Sequence, residues 1–256
     1  MAFVEEEDRN RKSKLRRKVT RIIPIIILLI TLILTYTAYT NSYYLTEGKT
    51  ELEHAISDYI PNQEVNAKIE LVQKINDWMY VIYSDDRYGD CFMGMALLKR
   101  GWNGRYMIRS TQYGSGMPIH LDKNVNRSNQ VIIYGLIKDG RAVRYEYAIS
   151  VQDLYKEVLY KGNIDQEAFF HIQENKDYWM TRFRLFDANG IDITESYLSK
   201  QRKASPSGSV TTAELFMVDV ECLMILLLGV GFAVGIRRKV RQKDKIEQQT
   251  HHISAS

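Results

Sequence analysis

IIPIIILLITLILTYTAY, residues 22–39, runs for eighteen residues without a charge, and its reading decides the architecture. At 1.5 Å per residue it forms about 27 Å of helix, enough to cross a bilayer core of about 30 Å with little tilt. Pro24 falls in the first turn, where its missing N–H would have no helical partner anyway. A secretory leader is the rival reading, with Ala38 and Thr40 as the small residues of a cleavage site. The long apolar region and a preceding stretch that opens with Glu5, Glu6, Glu7 and Asp8 favour an uncleaved anchor.

A second apolar block, residues 216–236, lies near the other end and is less clean, because it contains Asp219 and Glu221. Its uncharged part, residues 222–236, makes only about 22 Å of helix. Lys and Arg flanking a span are retained on the cytoplasmic side. Arg9, Arg11, Lys12, Lys14, Arg16, Arg17, Lys18 and Arg21 precede the first block, and Arg237, Arg238, Lys239, Arg241, Lys243 and Lys245 follow the second. The chain holds 35 basic residues in all, so 35 − 8 − 6 leaves 21 in between, against 22 acidic residues between Asn41 and Thr212. A neutral middle between two basic tails predicts a plasma-membrane protein with both termini cytoplasmic and the central domain extracytoplasmic.

The expected order is a basic tail (1–21), helix (22–40), extracytoplasmic domain (41–198), linker (199–212), helix (213–236) and basic tail (237–256). The domain is long enough to build its own core. With 4 Pro, 15 Gly and 2 Cys in 256 residues, collagen, low-complexity disorder and a disulfide-stapled scaffold are excluded. Cys91 is the single thiol of the central segment and reads as a small core residue; Cys222 lies in the second apolar block.

Inside the domain the patterning predicts α+β, with a membrane-proximal helix and an antiparallel sheet of six or seven strands. Leu52, Ala55, Ile56 and Tyr59 make a helical stripe over residues 46–60. Residues 63–75 fit either period and are assigned to helix. Residues 78–84, 91–99 and 105–111 read as strands of a meander. Two hairpins are expected, one turning at Lys138-Asp139-Gly140 and one at Asn189-Gly190, because Asp-Gly and Asn-Gly supply positive φ. Ser150, Asp153, Leu154, Val158 and Leu159 suggest a short helix over residues 150–160, and SKQRKASPSGSVTT, residues 199–212, has the composition of a flexible linker.

Asp219 and Glu221 are the most unusual residues, since a carboxylate near hydrocarbon costs a few kcal/mol unless paired, hydrated or protonated. The plainer reading places them in the headgroups near the positive N-terminal end of a helix, and the functional reading makes them a polar contact for a membrane partner. Thr31, Thr35 and Tyr39 share one face of the first helix and offer hydroxyls. Gly231 and Gly235 form a G-x-x-x-G pair for close helix packing, within the chain or in a homo-oligomer, and Gly229 is nearby.

Trp102, Arg105, Tyr106 and Tyr113, set among glycines, form a candidate ligand loop for a sugar, anion or peptide. Asp85, Asp86 and Asp90 lack calcium-loop spacing and read as a solvated turn. Cys91 with His54, His120 or His171 has no local support as a nucleophile and base, and Ser115 lacks a nucleophile-elbow context. No cofactor or metal motif is found, and a neutral exported domain does not suit nucleic acid. A non-enzymatic binding or accessory domain is therefore expected, embedded through lipid-facing helices and working with a membrane-protein partner or a second copy. A membrane-anchored envelope hydrolase and an extracytoplasmic ligand sensor are the alternatives.

Overall fold

The computed structural model describes residues 2–61, 65–90, 92–114, 117–123, 129–151, 154–176, 181–200, 206–211 and 214–254. Cys91, Ser115, Asp153 and part of the predicted linker lie outside them. The fold is α+β and mainly antiparallel, with a long apolar helix at each end. The chain divides into two units: Met1–Ser42 with Ala213–Ser256, and Tyr43–Thr212.

The first unit is a pair of helices, α1 (Ala2–Ser42) and α4 (Glu214–Ser254), each continuous through its apolar segment. Ile22–Ser42 and Met217–Gln242 are long and apolar enough to cross a membrane. The helices pack on stripes of mostly small residues. On α1 the covered positions include Pro24 and Thr31; on α4 they are Val218, Gly229 and Ala233. A Cβ at Gly229 would stand 2.0 Å from Thr31 Oγ1, so the glycine permits the close approach.

In the second unit, α2 (Lys49–Tyr59) and three sheets are stacked. The first sheet has the order β1-β2-β3-β4-β11, from β1 (Lys68–Ile75), β2 (Trp78–Ser84), β3 (Gly94–Arg100), β4 (Tyr106–Tyr113) and β11 (Gly208–Thr211). The second is β5-β6-β9, from β5 (Ile119–Lys123), β6 (Gln130–Leu136) and β9 (Ala168–Glu174). The third is β10-β7-β8, from β7 (Arg144–Val151), β8 (Leu154–Asn163) and β10 (Thr181–Phe186). A short helix, α3 (Thr194–Lys200), follows β10.

Period-2 alternation in two central strands builds the layers. Met79, Val81 and Tyr83 of β2 face Leu52 and Ile56 of α2, while Tyr80 and Ile82 join Ile132, Tyr134 and Leu136 of β6. The other face of β6, Val131 and Ile133, packs with Tyr145, Tyr147, Phe183 and Leu185 of the third sheet. Because both faces of β2 and β6 are covered, these strands read as continuous apolar runs.

The meander β2-β3-β4 and α2, which lies within the predicted 46–60, match the sequence expectation, but five local expectations are overturned. Residues 68–75 are strand, not helix; Glu70 bulges out of β1 between the pairs Ile69–Tyr83 and Leu71–Ile82, which breaks the alternation. Residues 154–163 are strand for the same reason: Leu159 and Lys156 are extra residues opposite β7, and these two bulges place Leu154, Val158 and Leu159 at helix-like spacing. The turn at Asp139-Gly140 exists, with Gly140 at φ +61°, yet β6 and β7 do not pair and enter different sheets. Buried on both faces, β6 takes β5 and β9 as neighbours instead. The turn at Gly190 (φ +78°) is held by Asp187 Oδ1, which accepts from Asn189 N and Ile191 N, but one bridge, Phe186–Asp192, replaces a hairpin ladder.

The fifth correction concerns the segment at 199–212. Gly208, Ser209, Val210 and Thr211 pair antiparallel with Tyr113, Gln112, Thr111 and Ser110 of β4. At the other end of the domain, Leu45 pairs with Tyr106 of the same strand through two backbone hydrogen bonds (3.1 and 2.8 Å). The incoming and outgoing connections thus lie on the edge of one strand, about 13 Å apart at 3.3 Å per residue.

Candidate functional site

Glu221, Gly231 and Gly235 share one face of α4. Counting 100° per residue, Met217, Glu221, Met224, Leu228, Gly231 and Gly235 fall on a stripe turned away from the α1-facing positions Val218, Gly229 and Ala233. Met217, Met224 and Leu228 are exposed, and a Cβ at Gly231 or Gly235 would meet nothing within 4 Å. Contact with α1 passes through Gly229, which leaves the G-x-x-x-G face open. Asp219 is exposed, on a flank of the α1-facing stripe. The hydroxyls of Thr31 and Thr35 donate back to Ile27 O (2.8 Å) and Thr31 O (2.9 Å), so they close on their own helix rather than on a carboxylate.

The candidate ligand loop separates into parts. Gly101–Gly104 is a tight turn between β3 and β4, closed by Gly101 N to Arg105 O (2.7 Å) and Gly104 N to Gly101 O (3.0 Å), with Gly104 at φ +77°. Trp102 at its tip is 68% exposed. Asn103 Nδ2 donates to Tyr43 O (2.9 Å) and Arg105 Nη1 to Tyr44 O (3.1 Å), fixing the turn to the segment that follows α1. Tyr106 is buried, and its hydroxyl donates to Glu47 Oε1 (3.3 Å). Tyr113 is also buried, seven residues along β4, or about 23 Å from Tyr106. Trp102 and Arg105 stand together; Tyr113 does not join them.

Tyr113 instead lines a cleft of about 310 Å³ with Met93, Met95, Gln112, His120, Tyr134 and residues of β11. The His120 ring stacks on Tyr134 (centroids 5.5 Å apart), and Tyr134 donates to Asp122 Oδ2 (2.9 Å). Burial pushes the His120 imidazole below its ordinary value, partly opposed by Asp122. His171 lies elsewhere, its Nδ1 2.8 Å from the Tyr145 hydroxyl, which burial pushes up to about 12. His54 lines a third place, a polar cleft of about 290 Å³ beside Asp85 and Arg87. The three histidines therefore occupy three separate environments. Among the described residues no group of three His, Cys, Asp or Glu side chains is placed to hold a metal.

The reading of Asp85, Asp86 and Asp90 as a solvated turn agrees with the exposure of Asp86 and Asp90 but not with Asp85. The Asp85 side chain is only 1% exposed and accepts from Asn66 N (2.6 Å), Arg87 N (3.0 Å) and the Arg87 guanidinium (2.6 Å). Beside it, the bulged Glu70 accepts from Ser84 Oγ (2.6 Å) and pairs with Lys138 (3.1 Å), while Asp86 pairs with Lys138 (3.1 Å) and Lys68 (3.2 Å). Burial alone would raise the carboxyls of Asp85 and Glu70. The hydrogen bonds from Arg87 and Asn66 to Asp85, and from Ser84 and Lys138 to Glu70, hold them below the ordinary range instead. Each member has a charged partner, and the cluster links β1 and β2 to the turn after β6. It is a structural junction, and the bulge that creates it leaves no motif in the sequence.

Comparison with known protein families, with curated proteins and with solved structures finds no match.

Proposed function

We propose that this chain is a two-pass membrane protein that displays an extracytoplasmic, non-enzymatic binding domain and works as an accessory to another membrane protein. The observation that carries this reading is the open face of α4. Glu221, Gly231 and Gly235 align with exposed apolar residues on the side of the helix that α1 leaves uncovered. A glycine pair permits close approach of another helix, and a carboxylate at the end of that face selects a partner that carries a hydroxyl, amide or basic group. The basic flanks support cytoplasmic termini, and within the domain Leu45 and residues 208–211 both pair with β4.

Crosslinking with mass spectrometry of the full-length protein in its native membrane tests the proposal, with Asp219→Asn/Glu221→Gln as the comparison. A stoichiometric partner in the wild type that is lost in the variant is the expected result. The absence of any partner in both samples contradicts it.

A ligand-sensing role is the second reading, favoured by the position of the larger cleft. Ser207, Gly208 and Ser209, just before α4, form part of its wall, so an occupant would bear directly on β11. Screening envelope metabolites for a rise in the thermal transition of the domain tests this reading.

A further inference from the structure

We infer that the Gly101–Gly104 turn is an interfacial anchor, with Trp102, Tyr44 and Arg105 seated in the phospholipid headgroup layer of the bilayer that α1 crosses. The inference rests on the proposed insertion of α1. Its first ground is exposure: Trp102 is 68% exposed and Tyr44 49% exposed, whereas among the described residues the domain's other large aromatic side chains are mostly covered. Its second ground is covalent. The apolar segment of α1 ends at Ser42, and Leu45, three residues on, is already paired with Tyr106 at the base of the turn. Three residues of chain reach at most about 11 Å. The interfacial layer on each side of the hydrocarbon is itself about 5–8 Å deep.

The third ground is rigidity. Asn103 to Tyr43 O and Arg105 to Tyr44 O staple the tip to the exit segment, so Trp102 is held close to the point where the chain leaves the hydrocarbon. Trp and Tyr favour that layer because an apolar ring meets lipid while the N–H or O–H meets headgroup oxygens. Arg105 spends one N–H on Tyr44 O and has further donors for a phosphate. A lipid headgroup is therefore the occupant that the chain itself keeps within reach.

The test uses the full-length protein in phosphatidylcholine/phosphatidylglycerol vesicles. Trp78→Phe/Trp179→Phe leaves Trp102 as the sole tryptophan, and the difference between wild type and Trp102→Ala gives the same readout should that variant fold poorly. The expected result is blue-shifted Trp102 emission, quenched more by lipid carrying a nitroxide at acyl carbon 5 than at carbon 12, and protected from acrylamide. Full acrylamide quenching with no nitroxide quenching overturns the inference. Tyr36→Trp in a background lacking the three native tryptophans reports on α1: quenching there alongside an unquenched Trp102 defeats the anchor alone, whereas no quenching at either site defeats the membrane insertion on which it rests.

Discussion

The helix pair and the β-rich domain are both specified by apolar residues, but the pair leaves most of them exposed whereas the domain buries them, and the two rest on different kinds of information. In the helix pair every backbone bond is local, and contact is made where small residues meet, as at Gly229 and Thr31. In the domain the core depends on partners far apart in the chain: β6 pairs with β9, some forty residues later, and β4 with β11, nearly a hundred residues later. A segment of the first kind can be read from a window of twenty residues. A segment of the second kind acquires its meaning from a neighbour that the window does not contain.

The difference predicts where substitutions hurt most. The largest effect is expected from Tyr83→Ala, which empties a fully buried site and removes the hydroxyl 2.7 Å from Thr111 Oγ1; a loss of about 3–5 kcal/mol is expected in chemical denaturation of the full-length protein. Next comes Asp85→Ala, which strips a buried acceptor from Asn66 N and Arg87 and should cost about 2–3 kcal/mol in the same assay.

That junction also gives the domain a pH profile. Asp85 and Glu70 are held below the ordinary carboxyl range, so their contribution is complete above unfolded-state values of about 4 and is lost as the pH falls through the folded-state values. Lys138 is shifted the other way: burial lowers it, but Glu70 and Asp86 hold it above its ordinary value. Its contribution is complete below about pH 10 and is lost as the pH rises through the folded value. Thermal melts from pH 2 to 7 should show the acid loss in wild type and a smaller one in Asp85→Ala.

Smaller effects belong to the helix pair. Gly229→Leu forces a side chain against Thr31 and should cost about 1–2 kcal/mol of helix association, read as reduced cysteine crosslinking between α1 and α4. Gly231→Leu, with open space at its Cβ, should leave that crosslinking unchanged. Equal losses at Gly229 and Gly231 would break the contrast between a covered and an open face of α4.

The two apolar helices, strands β2 and β3 and the helix holding Leu52 and Ile56 were legible because each is an unbroken apolar run or a single helical stripe, and β4 was legible as a strand although Arg109 bulges from it. The errors cluster at bulges. Glu70 in β1, and Lys156 and Leu159 in β8, each shift the inside-outside phase by one residue and turn a strand pattern into a helix-like one. Asp139-Gly140 was read correctly as a turn and wrongly as a hairpin, since turn chemistry fixes the backbone at Gly140 but not the partner of β6. For the candidate residues, the sequence could place Glu221, Gly231 and Gly235 on one helix, whereas the separation of Tyr113 from Trp102 follows from strand length and register. The Asp85 junction was hidden because its members come from three separated segments.

The attachment of both connections to β4 is the central claim about the domain, and it is tested most directly by trapping the pairing of β11. In a Cys91→Ser/Cys222→Ser background, Ser209→Cys/Gln112→Cys places two exposed cysteines directly opposite each other, while Ser209→Cys/Ser110→Cys offsets them by two residues. Directly opposed strand residues lie about 4.5–5.5 Å apart at Cα, within disulfide reach; diagonal ones lie about 7–8 Å apart. Mild oxidation of the full-length protein in membranes should form the 112–209 bond, seen by mass spectrometry, well ahead of the 110–209 bond. Equal rates for the two pairs, or no bond in either, would mean that residues 208–211 are the loose linker their composition suggests and that β4 does not hold both ends of the domain.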